Sequence, residues 1–314
     1  MRTIPTLAAL LALTSTTTLA AQHTPNNAHP LVAKTTLPPP SAADRERRAA
    51  VTPAPYRYDD ILWENDRIAH RIYGRALEAA QPPSSSGIDI WGKNVRWPYM
   101  DRQLRTGHQH DYQGEGLDFY NVNGARGAGG LGIWFDNKLW TSRNYARSKI
   151  LQDGPTIAAF EVDYDPWPVD VARKVWETRR FTLPAGTNFT RMVSTIRSDK
   201  PEALIVGIGI SKRPTSETKL GTFTADKTTG RVSWWGPTDP ADGTMAVALM
   251  VDPMALVDVT EDYDNYLVLV RVQPGVPFVY YMGGAWDKGL DFHDRAEWDR
   301  YVAEQKPDFD PSHR

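Results

Sequence analysis

Between Thr156 and Trp286 the chain strings together seven β-rich runs with no helical period between them. This succession constrains the fold more than any other feature. The runs are TIAAFEVDY (156–164), VWETRRFTL (175–183), FTRMVSTI (189–196), ALIVGIGIS (203–211), TMAVALMV (244–251), YLVLVRV (266–272) and PFVYYMGGAW (277–286). Short loops carrying Gly, Pro or Asp separate many of them. Upstream, DRIAHRIYGRALE (66–78) alternates, with Ile68, His70 and Ile72 on one side and Ala69, Arg71 and Tyr73 on the other. LGIWFDNKLW (131–140) places Asp136-Asn137 between aromatic-rich arms, a two-residue hairpin signal. About ten strands without intervening helices predict an all-β fold, an antiparallel two-sheet β-sandwich. Near the end, Ala296, Trp298, Tyr301 and Val302 recur at helical intervals after Asp291 or Asp294, predicting a short C-terminal helix that lies on the sandwich edge as a lid.

The opening 21 residues, MRTIPTLAALLALTSTTTLAA, have the layout of a secretory signal peptide, with Arg2, a short apolar run and small residues at Ala20-Ala21. No apolar run approaches the roughly 20 residues of a membrane span. The expectation is a periplasmic or secreted protein with no membrane attachment after cleavage. Residues 22–55 carry seven prolines and the cluster DRERR, which predicts a disordered or loosely docked leader. A single domain is expected over 56–314. With no cysteine, disulfides, thiolate metal sites and a thiol nucleophile are excluded. A net charge of −2 provides no basic field for nucleic acid.

The stretch Gly92–Gly130 keeps neither strand nor helix period, yet is dense in Trp, Tyr, His, Arg, Asp and Gly. Long irregular segments of this composition are where chemistry is expected. Within it, HQHDYQGEGLD (108–118) offers two chemical readings beside a structural one, in which Glu115 and Asp118 cap and brace the turns at Gly114 and Gly116. His110 beside Glu115 and Asp118 forms an acid–base set, because an imidazole near a carboxylate titrates in the useful range. Alternatively, His108, His110 and Glu115 fit the first half of a cupin-type metal signature, H-x-H-x4-E, but the downstream histidines His293 and His313 lack the context of its second half. No cofactor is expected beyond that metal alternative. The cations Lys93, Arg96, Arg102, Arg105, Arg126 and Lys138 surround the segment and suit carboxylate recognition, an acidic sugar in particular. The absence of a G-x-S-x-G elbow argues against a serine hydrolase.

The segments WENDRIAHRIYGRALE (63–78), GIDIWGKNV (87–95), GEGLDFYNV (114–122), RGAGGLGIW (126–134) and VYYMGGAWDKG (279–289) resemble the bacterial domain-of-unknown-function family DUF4861. The likeness extends from about Tyr56 to Lys306. It implies an exported protein associated with degradation of uronic-acid polysaccharides, and a sandwich like that of galactose mutarotase and several polysaccharide lyases. On that footing the expected partner is an acidic oligosaccharide or polysaccharide. The expected activity is that of a lyase or glycoside hydrolase, with an epimerase, a metal-dependent isomerase or a non-catalytic binding protein as alternatives. Tyr120, Tyr280 and Tyr281 become candidate proton donors or bases for β-elimination, Tyr280 foremost. Arg126 or Lys93 would neutralise the uronate carboxylate. Trp91, Trp97, Trp134 and Trp286 are the candidate sugar-stacking rings.

Overall fold

A computed structural model describes Ala33 and residues 36–313. The segment read as a signal peptide lies outside the described residues. The described chain is all-β and antiparallel. Its strands run β1 (Ala49–Ala54), β2 (Asp60–Asn65), β3 (Ala69–Ile72), β4 (Ile88–Lys93), β5 (Gly116–Leu117), β6 (Ala128–Phe135), β7 (Lys138–Trp140), β8 (Arg147–Asp153) and β9 (Ile157–Val169). They continue as β10 (Arg173–Pro184), β11 (Phe189–Ser198), β12 (Leu204–Ser211), β13 (Thr222–Asp226), β14 (Arg231–Trp235), β15 (Met245–Val251), β16 (Leu256–Glu261), β17 (Asn265–Val272) and β18 (Phe278–Trp286). Four short helices punctuate them: α1 (Ala42–Glu46), α2 (Leu77–Ala80), α3 (Met100–Arg105) and α4 (Arg295–Glu304).

Two sheets face each other as a sandwich. One has eight strands in the order β13-β14-β15-β18-β11-β10-β9-β8; the other has five, β16-β17-β12-β6-β7. Val206, Ile208, Val268 and Leu131 from the smaller sheet share one buried core with Phe160, Phe181, Met192, Val247 and Leu249 from the larger. The Asp136-Asn137 hairpin forms as expected between β6 and β7, both residues taking the positive φ of a type I′ turn at 51° and 54°.

Strand β15 is apolar at every position because it is covered on both faces. Met245, Val247, Leu249 and Val251 point into the sandwich, while Ala246, Ala248 and Met250 pack with Phe292, Trp298 and Val302. That outer cover is α4, whose N-cap is Asp294, its side chain accepting from Glu297 N–H at 2.9 Å.

A third sheet, β1-β2-β3-β4-β5, joins the expected two and carries the candidate site described below. It also corrects the expected disorder of the leader in its later part. Strand β1 pairs with β2 along its full length, Ala49 opposite Asn65 and Ala54 opposite Asp60, and Leu37 is buried beside Trp91 and Met100. Few residues in this stretch are large and apolar, but Ala49, Ala50, Val51 and Ala54 are buried in company with partners distant in sequence. The folded region thus begins ahead of Tyr56. Among the described residues, no helix is long and apolar enough to cross a membrane.

Candidate active site

The irregular segment is built onto the third sheet by one buried carboxylate. Glu64, on β2, accepts hydrogen bonds from the backbone N–H groups of Tyr99 (2.9 Å) and Met100 (3.0 Å), which caps α3 in place of a local side chain. The other Glu64 oxygen receives Lys93 Nζ at 2.6 Å, and the same ammonium donates to the Trp97 carbonyl at 2.6 Å. Helix α3 was not expected, since its six residues are too few to show a period. It stops at Gly107, whose φ of 72° and N–H bond to the Leu104 carbonyl turn the chain back. Gln103 then reaches from the helix to the carbonyls of Gln109 and Asp111, fixing the turn that carries His110.

His110 projects into a cavity of about 260 Å³ whose walls include Arg57, Arg71, Tyr73, Gln109, Asp118, Tyr120 and Asn121–Asn123. Its Nδ1 lies 2.9 Å from the Asp118 carbonyl, an acceptor only, so Nδ1 carries the proton and Nε2 keeps its lone pair in the neutral ring. The Asp118 carboxylate stands 3.7 Å from the same Nδ1, and Nε2 lies 3.3 Å from the Gln109 side-chain amide nitrogen.

Asp118 is held from below. Arg71 Nη2 lies 2.8 Å from Asp118 Oδ2 and 2.6 Å from Asp89 Oδ2, and Arg71 Nη1 lies 3.9 Å from Asp60 Oδ2. The guanidinium carbon is 5.1 Å from the ring centres of both Tyr73 and Trp91. Three buried carboxylates thus surround one buried cation. Burial pushes the Asp60 carboxyl up to about 6 against the pull of Arg71 and Arg57. Burial, reinforced by the Asp118 charge, raises Asp89 as well. Burial and the Asp89 charge hold the Tyr73 hydroxyl well above its ordinary value, so it stays protonated. At the cavity wall Arg57 donates to the neutral Gln81 amide at 2.8 Å, lies 5.1 Å from the Tyr58 ring centre and acts on the buried Asp60 carboxylate, and its Nη1 is buried with no hydrogen-bond partner among the described residues. An adjoining cleft of about 370 Å³ shares His110, Asp118 and Asn121 and extends to Phe119, Thr215 and Asp239.

Of the residues expected from sequence, His110 and Asp118 come together here. Glu115 does not: its Oε2 is engaged by Arg102 and by Trp97 Nε1 at 3.1 Å, away from the cavity. The metal set is not assembled either, for the same reason. Exposed His108 leans on Asp111 at 3.5 Å, and no cluster of three His, Asp or Glu suited to a metal ion occurs among the described residues.

Several expected binding residues serve the core instead. Tyr280 is fully buried between the sheets, its hydroxyl donating to the Gly129 carbonyl at 3.0 Å and held above its ordinary range by burial. Tyr120 does reach the cavity wall, but its hydroxyl donates to the Gly127 carbonyl at 3.0 Å; Tyr281 donates to Asp308 O at 2.9 Å on the α4 side. Trp91 is buried over Arg71, with its indole N–H on Asp89 at 2.9 Å. Lys93 is the partner of Glu64, its affinity for a proton lowered by burial and partly restored by that carboxylate. Arg126 is buried on Ser86 Oγ (3.0 Å) and the Gly124 carbonyl (3.2 Å), pushed down to about 10 by burial and by Arg179. Trp286 packs against Tyr112 and Phe119 with its N–H on the Asp242 carbonyl at 2.7 Å, so it supports the segment from beneath. Trp97 lies under Arg45, and half-buried Trp134 sits opposite Leu139 near the β6–β7 turn; neither lines the cavity.

Arg57, Arg71, Tyr73, Asp60 and Asp89 were not anticipated. One signal was present: opposite charges in two otherwise apolar strands, RIAHRIY and GIDIW, which the ladder places directly across from each other as Arg71 and Asp89.

The chain is 30% identical over 266 residues to "Uncharacterized protein P7" of Formosa agariphila, an alignment that takes in 80% of this chain and 65% of that protein. It therefore spans about two-thirds of the length of that relative. Among solved structures it is similar to the galactosidase domain of alpha-galactosidase-sucrose kinase, AgaSK, at a TM-score of 0.33 and 8% identity, covering 76% of this chain and 42% of that one. A likeness that distant carries no inference about activity. The profile of the domain of unknown function DUF4861 matches residues 13–311, nearly the whole sequence, and the chain belongs to that family.

Proposed function

We propose that this cleft is the active site of a carbohydrate-active enzyme for uronate-containing oligosaccharides or polysaccharides, and that its reaction is β-elimination. The observation that carries the reading is Arg57, a half-buried cation on the cavity wall with a neutral partner and an unused Nη1. A guanidinium in that state suits a ligand carboxylate. Bound there, the carboxylate is partly neutralised and the hydrogen on the adjacent C5 becomes more acidic. His110 Nε2 accepts that proton, the electron pair forms the C4–C5 double bond, and the C4–O bond breaks. The departing oxygen takes a proton from the Tyr73 hydroxyl, which water restores. Paired-carboxylate hydrolysis has less support, since Glu115 is engaged elsewhere and Asp118 is pinned by Arg71. The leader over residues 1–21 fits delivery to the periplasm or the exterior, where such polymers are met.

The test is a panel of uronate oligosaccharides incubated with the purified protein, followed by the ultraviolet absorbance of the new double bond. The wild type should generate that signal, and His110→Ala should slow it about 10²–10⁴-fold. Reducing ends without the absorbance would replace elimination with hydrolysis. Binding with no product, undisturbed by His110→Ala, would leave a carbohydrate-binding protein.

A further inference from the structure

We propose that Asp89 and Arg71 are positioning residues for His110: through the one Arg71 nitrogen that lies against both carboxylates, the charge on Asp89 controls how Asp118 acts on the imidazole. The inference rests on reading His110 as the proton acceptor, and it concerns groups behind the cavity wall.

The geometry is specific. Asp89 does not line the cavity, yet its Oδ2 and the Asp118 Oδ2 share Arg71 Nη2 at 2.6 and 2.8 Å. The two oxygens can therefore be no farther apart than two hydrogen-bond lengths. Asp89 Oδ2 also accepts from Arg71 Nε and Trp91 Nε1, both at 2.9 Å, while Asp89 Oδ1 is buried without a partner among the described residues. That oxygen is a natural seat for a proton. Two like charges so close, out of water and with one guanidinium between them, do not both ionise freely. When Asp89 is neutral, Arg71 is committed to Asp118 and weakens its field at His110. When Asp89 is charged, Arg71 is divided, and the added negative charge favours the protonated imidazole.

The other titratable groups facing this cluster are Asp60 from β2, Tyr73 just after β3, Tyr99 at the start of α3 and Tyr120 beyond β5, with Arg57 acting on Asp60. Burial keeps all three phenols protonated, and Asp239 and Asp242 face His110 across the adjoining cleft.

The experiment is titration of the His110 ring by NMR in the full chain, assigned with His110→Gln, for the wild type and Asp89→Asn. Asparagine keeps the acceptor for Arg71 and Trp91 and fills the same space. The wild type should show a step broadened by the ionisation of Asp89 over the same range, and the variant a single, narrower step with a lower midpoint, because the negative charge that Asp89 gains as pH rises is absent. Trp91→Phe, which withdraws one donor from the Asp89 carboxylate, should move the midpoint the same way by less, and it serves if Asp89→Asn does not fold. Superimposable curves for wild type and variants would overturn the proposal. In turnover, Asp89→Asn should lower kcat with KM held within about twofold; equal loss in both would assign Asp89 a merely structural role. A wild type that processes no uronate, yet shows the His110 shift, would refute the proposed function and leave this coupling standing.

Discussion

Replacing Lys93 by methionine distinguishes a structural cation from a ligand-binding one. In the folded chain Lys93 Nζ has two bonds of 2.6 Å, to Glu64 and to the Trp97 carbonyl, and lies 4.8 Å from the centre of the Tyr99 ring. Its side chain is 1% exposed and that of Glu64 5%, so solvent does not screen the pair. Removing one partner of such a pair strands the other charge, which costs about 3–5 kcal/mol. For a chain of this size each kcal/mol lowers Tm by roughly 2–4 °C, so the variant should melt roughly 6–20 °C lower. Glu64→Gln strands the ammonium instead and should fall in the same range. The double variant, with neither charge, should lose less than the sum, with a coupling energy of about 1–3 kcal/mol. Urea unfolding followed by tryptophan fluorescence measures all four proteins. A Lys93→Met protein within about 1 kcal/mol of the wild type, but with uronate affinity lost, would refute the reasoning and return Lys93 to the ligand.

Asp60 supplies a prediction in pH. Its folded carboxyl titrates near 6 and its unfolded one near the ordinary value of about 3.9, so between these the folded state holds more protons and stability falls as pH rises. The penalty is absent below about pH 4 and complete above about 6, at roughly 2–3 kcal/mol. Asp60→Asn, which retains the oxygen that accepts from Gly74 N–H at 3.2 Å, should gain on the wild type by up to that amount between pH 4 and 7 in paired melts. A constant difference would contradict it. Tyr280→Phe should keep full turnover and lose about 1–2 kcal/mol from the unpaired Gly129 carbonyl; a collapse of kcat in a folded protein would restore Tyr280 to the chemistry. Gly92→Ala puts a Cβ 2.7 Å from the Trp286 ring and should cost about 1–3 kcal/mol of stability, read by melting.

Seven sandwich strands were legible because alternating or continuous apolar runs are local: the runs between Thr156 and Trp286 match β9–β12, β15, β17 and β18 within a few residues, whereas β8, β13, β14 and β16, shorter or more polar, were missed. Strand β1 was not, since its apolar residues are mostly alanine and gain meaning only opposite β2. The polar density around His110 and Asp118 also pointed to two residues that line one cavity. What misled was treating aromatic and cationic side chains as surface. Trp91, Lys93, Arg126 and Tyr280 are buried with polar partners that come from other strands or turns, and such partners are invisible to spacing. Arg57 and Tyr73 escaped for the converse reason, sitting in a turn and past a strand end until the 108–123 segment folds over them.

The most direct measurement is calorimetric binding of a uronate oligosaccharide and of its carboxyl-reduced counterpart to the wild type and to Arg57→Ala. The account predicts that the wild type prefers the carboxylate form by about 10–100-fold, the worth of one charge-assisted hydrogen bond, and that Arg57→Ala loses the preference. Equal affinity of the wild type for both forms, or a preference that survives Arg57→Ala, would contradict it.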